Sequence, residues 1–233
     1  MDHGGTRPSS GGGELSLAER IARSAELKRE LVAFALQPRF DRERRHLLRA
    51  QFGKRLVADE EELVNAFDGF LQHPLRGGAT VLEKFVSSRP DLSEQDRELL
   101  LRWREPVEGV FEVRRREGDA VIVENLIDEL TYEVYSNMGP SVFTQLEPGG
   151  FMIGRIVPIG SAWLVSGSFA CYAETERAAV CSAAYEATMR HPLAAFRNPE
   201  KLARARELVA VEHVRIVEFF GDDIVTIHGP QQT

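Results

Sequence analysis

The sequence predicts an α+β protein: a helical N-terminal region, a small five-stranded β-barrel of the SH3/OB-like kind, two C-terminal helices and a final short strand. Three observations predict it. Val, Ile, Tyr, Phe and Trp concentrate in residues 107–173, where turns containing Gly, Pro and Asn cut the run into strand-length pieces. Before that run, apolar residues recur at helical spacing behind Ser, Thr and Asp caps. After it, an alanine-rich segment and a second one opened by Asn198-Pro199 return to the helical period. The boundaries expected are a disordered tail over 1–13, the helical region over 14–105, the barrel over 106–173, and helices plus strand over 174–233.

Taken in order, residues 1–13 hold almost nothing to bury. Ser16 and Glu19 form a capping-box pair, and Leu17, Ile21, Ala25, Leu31 and Ala35 follow on one stripe until Pro38 ends the helix. Asp41 is placed to cap a second helix with Leu47, Leu48 and Phe52 on its buried side, ending near Gly53. Asp59 opens a third, whose Leu63, Ala66, Phe67, Phe70 and Leu71 give a core-facing stripe. Thr80 with Glu83 and then Ser93 start two short helices that finish before Pro106.

Within the barrel, strands are expected over 109–116, 120–127, 131–136, 151–159 and 162–172. Glu117-Gly118-Asp119, Asp128-Glu129 and Gly160-Ser161 supply the turns, and Asn137 to Pro140 a loop. Trp163, Val165, Phe169 and Cys171 share one face by period two. Helices then run from Glu174 to Arg190 and from Pro199 toward Phe220, the second with Leu202, Ala205, Val209, Ile216 and Phe220 on one stripe. Residues 223–228 read as a last strand, which either joins the barrel or belongs to a longer architecture.

Composition bounds the function more than it specifies it. The 233 residues are 43% hydrophobic and 28% charged, with a net charge of −7, ordinary for a soluble globular chain. The helical region balances 17 basic against 17 acidic side chains, whereas the barrel stretch holds 4 basic against 9 acidic. That balance argues against polyanion binding by the barrel. No apolar run approaches the roughly 20 residues that span a bilayer, and the glycine-rich N-terminus has no apolar h-region, so a cytoplasmic protein with no membrane partner is expected.

Chemistry-bearing patterns are sparse. The six histidines, at positions 3, 46, 73, 191, 213 and 228, form no zinc-ligand spacing, and Cys171 and Cys181 form no Cys-x-x-Cys pair; no metal and no cofactor are expected. Ser166-Gly167-Ser168 lacks the nucleophile-elbow spacing and suits a strand that must bend. Cys181, in an alanine-rich helix, reads as an inert buried thiol, and Asp128-Glu129 as solvated turn acids. No catalytic residue is assigned.

Two groups of residues remain as binding candidates. Arg155 shares the parity of Phe151, Ile153 and Val157, so it must be turned out by a bulge or paired, with Glu133 and Glu124 as expected partners. The rim loop at Ser136 and Asn137 lies nearby in sequence. Separately, Arg39, Arg42, Arg44, Arg45, Arg49, Lys54 and Arg55 meet only Asp41 and Glu43. On a helix Arg42, Arg45 and Arg49 share a face, the candidate phosphate contacts.

The stretch NLIDELTYEVYSNMGPSVFTQLEPGGFMIGRIVPIGSAWLVSG, residues 125–167, resembles bacterial proteins that place a small barrel after a helical region, some with a SEC-C-type cysteine–histidine zinc motif. This chain has no such motif, so the resemblance implies the architecture and no zinc. The function expected is a non-catalytic macromolecular interaction module with a protein partner. The runner-up is a nucleic-acid-associated protein using the basic Arg39–Arg55 helix, and an enzyme of another type comes third.

Overall fold

The computed structural model describes residues 15–53 and 59–220. The expected tail over 1–13, the strand over 223–228, and Lys54 and Arg55 lie outside the described residues. So do the side chains of His213, Ile216 and Phe220. Within them the protein is α+β, with one five-stranded sheet set between helices.

Helix α1 spans Leu17–Ala35. Its capping box forms as expected: the Glu19 amide donates to Ser16 Oγ at 3.3 Å and the Ser16 amide to Glu19 Oε2 at 2.8 Å. A 3-10 turn at Pro38–Phe40 leads into α2, Asp41–Phe52. Asp41 is the first helical residue there rather than the cap. Phe40 occupies the cap position, and the Asp41 carboxylate instead takes Arg44 and Arg45. Helices α3 (Glu60–Gln72), α4 (Val81–Ser88) and α5 (Glu94–Arg102) begin at Asp59, Thr80 and Ser93, each accepting from the amide three residues on.

The strands are β1 (Val107–Glu117), β2 (Ala120–Asn125), β3 (Thr131–Tyr135), β4 (Phe151–Ile159) and β5 (Ala162–Tyr172). β1 pairs antiparallel with β2 and with β4, β2 with β3, and β4 with β5. A short parallel pairing, Val134 with Trp163 and Tyr135 with Leu164, joins β3 to β5 and closes the circuit. All five strands feed one apolar cluster that includes Phe111, Val123, Tyr132, Val134, Met152 and Ile156, with Trp163, Val165, Phe169 and Cys171 packed against it from β5. Alternate residues, among them Val157, Ile159, Ala162 and Leu164, join the helical core of Leu27, Leu31, Phe70, Phe85, Leu100 and Trp103. One strand pair thus serves two cores, as the period-two side-chain alternation allows.

After β5, α6 (Arg177–Arg190) packs Val180 and Ala184 on Val110 and Phe151. Helix α7, Pro199–Phe220, is tied to the body at its first turn. Asn198 caps it, accepting from the Glu200 amide at 2.9 Å, and donates from Nδ2 to the Asp128 carbonyl at 2.8 Å. Lys201 reaches the Ile127 carbonyl at 3.0 Å and Glu129 at 2.8 Å. Of the stripe expected to pack beyond Ala205, Val209 does not: it is 70% exposed.

Two further sequence readings are corrected. Asp128 is buried rather than solvated, accepting from Tyr132 Oη at 2.7 Å, Asn125 Nδ2 at 3.1 Å and the Leu130 amide at 2.9 Å. Burial, with Asp128 as hydrogen-bond acceptor, pushes the Tyr132 hydroxyl well above its ordinary value. Cys181 faces solvent, because the side of α6 that packs is the one carrying Val180 and Ala184.

Candidate functional site

A cavity of about 660 Å³ opens where α1, α2 and α3 face β4, β5 and the loop after β3. Its walls are mostly apolar, from Val32, Leu48, Phe67, Val157, Leu164 and Phe169. Its mouth keeps large apolar side chains in solvent: Leu36 is 53% exposed, Leu63 45%, Val64 41% and Met138 78%. The size and apolar lining match those of ligand pockets, roughly 300–1,000 Å³.

Polar groups also line this largely apolar space. Lys28, from α1, places Nζ 2.7 Å from Asp68 Oδ1 on α3. Ser166, from β5, donates to Asp68 Oδ2 at 2.7 Å, and Lys28 Nζ reaches Ser166 Oγ at 3.5 Å. The three side chains therefore join two helices to the sheet. Asp68 and Ser166 are buried, and a carboxylate in that position requires the ammonium and hydroxyl it has. Ser24 Oγ and Trp103 Nε1 are buried at the same cavity without a hydrogen-bond partner among the described residues. An orphaned buried donor costs roughly 1–3 kcal/mol.

The backbone at Ser166 is shaped for this arrangement. Gly167 has φ +82°, and a Cβ there would collide with Asn65 Oδ1, which accepts from the Ser168 amide at 2.8 Å. The Ser166-Gly167-Ser168 run is thus a strand distortion, in keeping with its sequence reading. Its hydroxyl is not set up as a nucleophile: it gives its proton to Asp68, and Lys28 meets it as a donor.

Of the residues singled out from sequence, Ser136 and Asn137 line this cavity. Arg155 does not line it but lies beside its floor, paired in register with Ser166, at a β4–β5 register shift between Ile153 and Arg155. Its partner is Glu108 on β1, at 2.8 Å from Nε, and neither Glu133 nor Glu124. Glu133 instead accepts from Tyr135 Oη at 2.6 Å, and Glu124 pairs with Arg114 at 2.9 Å. Both sit across strands that Arg155 does not adjoin, since β4 lies between β1 and β5.

The basic helix divides. Arg39 is exposed but lies over the Phe34 and Phe40 rings, 4.3 and 5.0 Å from their centroids, and Arg44 is half-buried and turned to the Ala35 carbonyl and Asp41. Arg42, Arg45 and Arg49 are exposed and share a second cleft.

Among the described residues no group of three or more His, Cys, Asp or Glu is placed to hold a metal ion, and no helix is long and apolar enough to cross a membrane. Cys171 and Cys181 are both free, and burial, then the nearby Glu61 carboxylate, pushes the Cys171 thiol up. No family model, no curated protein and no solved structure matches the chain.

Sequence reasoning missed Lys28, Asp68, Ser24 and Trp103. A signal was present: Asp68 lies four residues after Val64 and three before Leu71, on the apolar side of its helix. A carboxylate there calls for a buried partner.

Proposed function

We propose that the protein is a non-catalytic interaction module, and that the cavity between its helical region and its sheet receives an apolar segment of a partner protein. In this reading the closed sheet is a small SH3/OB-like barrel acting as a scaffold, and the module works in the cytoplasm. One observation carries the proposal: a largely apolar cavity whose mouth holds Leu36, Leu63, Val64 and Met138 in solvent. Apolar rims of this sort mark recognition sites. The largely apolar lining suits an apolar segment better than a charged group, since Lys28 and Asp68 already satisfy each other.

The test uses the full chain with a photo-reactive residue at Met138 and, as a control, at the exposed Met189 on α6. The Met138 probe is expected to crosslink a protein segment from native extract that the Met189 probe does not. A peptide of that segment is then expected to bind the purified chain and to lose about tenfold or more in affinity on Leu63→Asp or Val64→Asp. Identical crosslinks from both probes, or peptide binding unchanged by the two aspartates, would overturn the reading.

A further inference from the structure

We propose that the cleft between α2 and the loop joining α3 to α4 binds a small molecule carrying two or more phosphate groups, held by Arg42, Arg45, Arg49 and Arg76. The site is separate from the cavity above and does not depend on it.

The cleft measures about 820 Å³. Arg42, Arg45 and Arg49 reach it from one face of α2, as their spacing of three and four residues requires. Arg76 comes from the opposite side, out of the loop that follows α3, and His46 and His73 add an imidazole from each side. Against four guanidinium groups stand the Asp41 and Glu43 carboxylates, a balance of +2 in a chain whose net charge is −7.

What the arginines lack is informative. Arg23, Arg89, Arg104, Arg114, Arg155 and Arg177 each bind a carboxylate. Among the described residues Arg42, Arg49 and Arg76 have no such partner, and Arg45 has only Asp41 at 3.7 Å, a carboxylate that Arg44 also holds. Like charges stacked along a helix face destabilise it. A sequence that places three arginines there, and a fourth across the gap, keeps a cost that a bound polyanion would remove.

Guanidinium groups suit phosphate because their N–H pairs match two oxygens at once. Two or more phosphates are needed to engage cations on both sides. The apolar wall of Leu47, Pro74 and Leu75 leaves room for the rest of the molecule. A nucleic-acid strand is disfavoured because it needs a continuous basic track. Outside the cleft, residues 14–105 carry 13 basic against 15 acidic side chains, 17 less 4 and 17 less 2, and the sheet is acidic.

Calorimetric titration of the full chain tests this with inorganic tripolyphosphate, orthophosphate and a single-stranded oligonucleotide as probes. Tripolyphosphate is expected to bind at least about tenfold more tightly than orthophosphate. Arg42→Ala and Arg76→Ala, on opposite sides and both exposed, are each expected to weaken it by about tenfold. Arg190→Ala on α6 makes the same change in net charge and is expected to leave binding unaltered. No tripolyphosphate binding at low salt, or an equal loss in Arg190→Ala, overturns the proposal. An oligonucleotide that binds more tightly than tripolyphosphate overturns it in favour of nucleic acid.

Discussion

Lys28 Nζ lies 2.7 Å from Asp68 Oδ1, so one ion pair fastens α1 to α3 at the wall of the apolar cavity. Ser166 adds the sheet to the same carboxylate. Removing the acid leaves the Lys28 ammonium, only a quarter exposed, without its partner. Asp68→Ala is expected to lower stability by about 2–3 kcal/mol, toward the low end for a broken buried pair because Lys28 can still reach water. The double variant Lys28→Met with Asp68→Leu is expected to recover most of that loss. Urea denaturation of the three chains checks both statements.

Gly167 sits at φ +82° against Asn65, next to the serine that completes this cluster. Gly167→Ala would combine left-handed backbone strain with a collision at Asn65 Oδ1. A loss of about 1–2 kcal/mol is expected from the backbone alone. Asn65→Ala should relieve part of the added penalty in a double-mutant cycle. A neutral Gly167→Ala would show that the strand bends elsewhere.

Acid should act through Glu112. It is buried on β1, with Arg177 Nη2 and Arg114 Nη1 each 2.9 Å from Oε1, and the hydrogen bond from Arg177 leads the effects holding its carboxyl below the ordinary 4.5. A depressed folded-state value means that the stabilisation is complete above about pH 4.5 and is lost as pH falls through the lower, folded value. Thermal melts between pH 7 and pH 3 are expected to show this decline, and Glu112→Gln should flatten it while lowering stability at pH 7. An unchanged pH profile in Glu112→Gln would assign the acid sensitivity to other carboxylates.

Asn198 performs two tasks, capping α7 and donating to the Asp128 carbonyl. Asn198→Ala is expected to lower stability by about 1–2 kcal/mol. Hydrogen exchange should rise through the first turns of α7 and the β2–β3 turn together. Exchange rising in α7 alone would mean that the link to Asp128 carries no energy.

Legibility from sequence followed the range of the interactions. Ser16 with Glu19 and Thr80 with Glu83 act within one helical turn, and both capping boxes form. Strands β4 and β5 begin and end where Gly150, Gly160 and the alternation of Phe151 to Tyr172 place them. Cross-strand partners were not legible: Arg155 finds Glu108 because β1 adjoins β4, a pairing 47 residues apart that no local pattern encodes. The same holds for Lys28, Asp68 and Ser166, which lie on three elements and meet only once the helices dock. Asp128 was misread because turn acids are usually solvated, and only the arrival of Asn198 and Tyr132 buries it.

The circuit of strand pairings has a consequence for how this protein meets others. Each of the five strands already has a neighbour on both sides, although the β3–β5 seam is joined through two residue pairs, Val134 with Trp163 and Tyr135 with Leu164. A visiting peptide or a second copy of the chain therefore finds no whole strand edge to extend, since every edge of the described sheet is at least partly paired. Recognition falls to side chains, and so to grooves with chemical character.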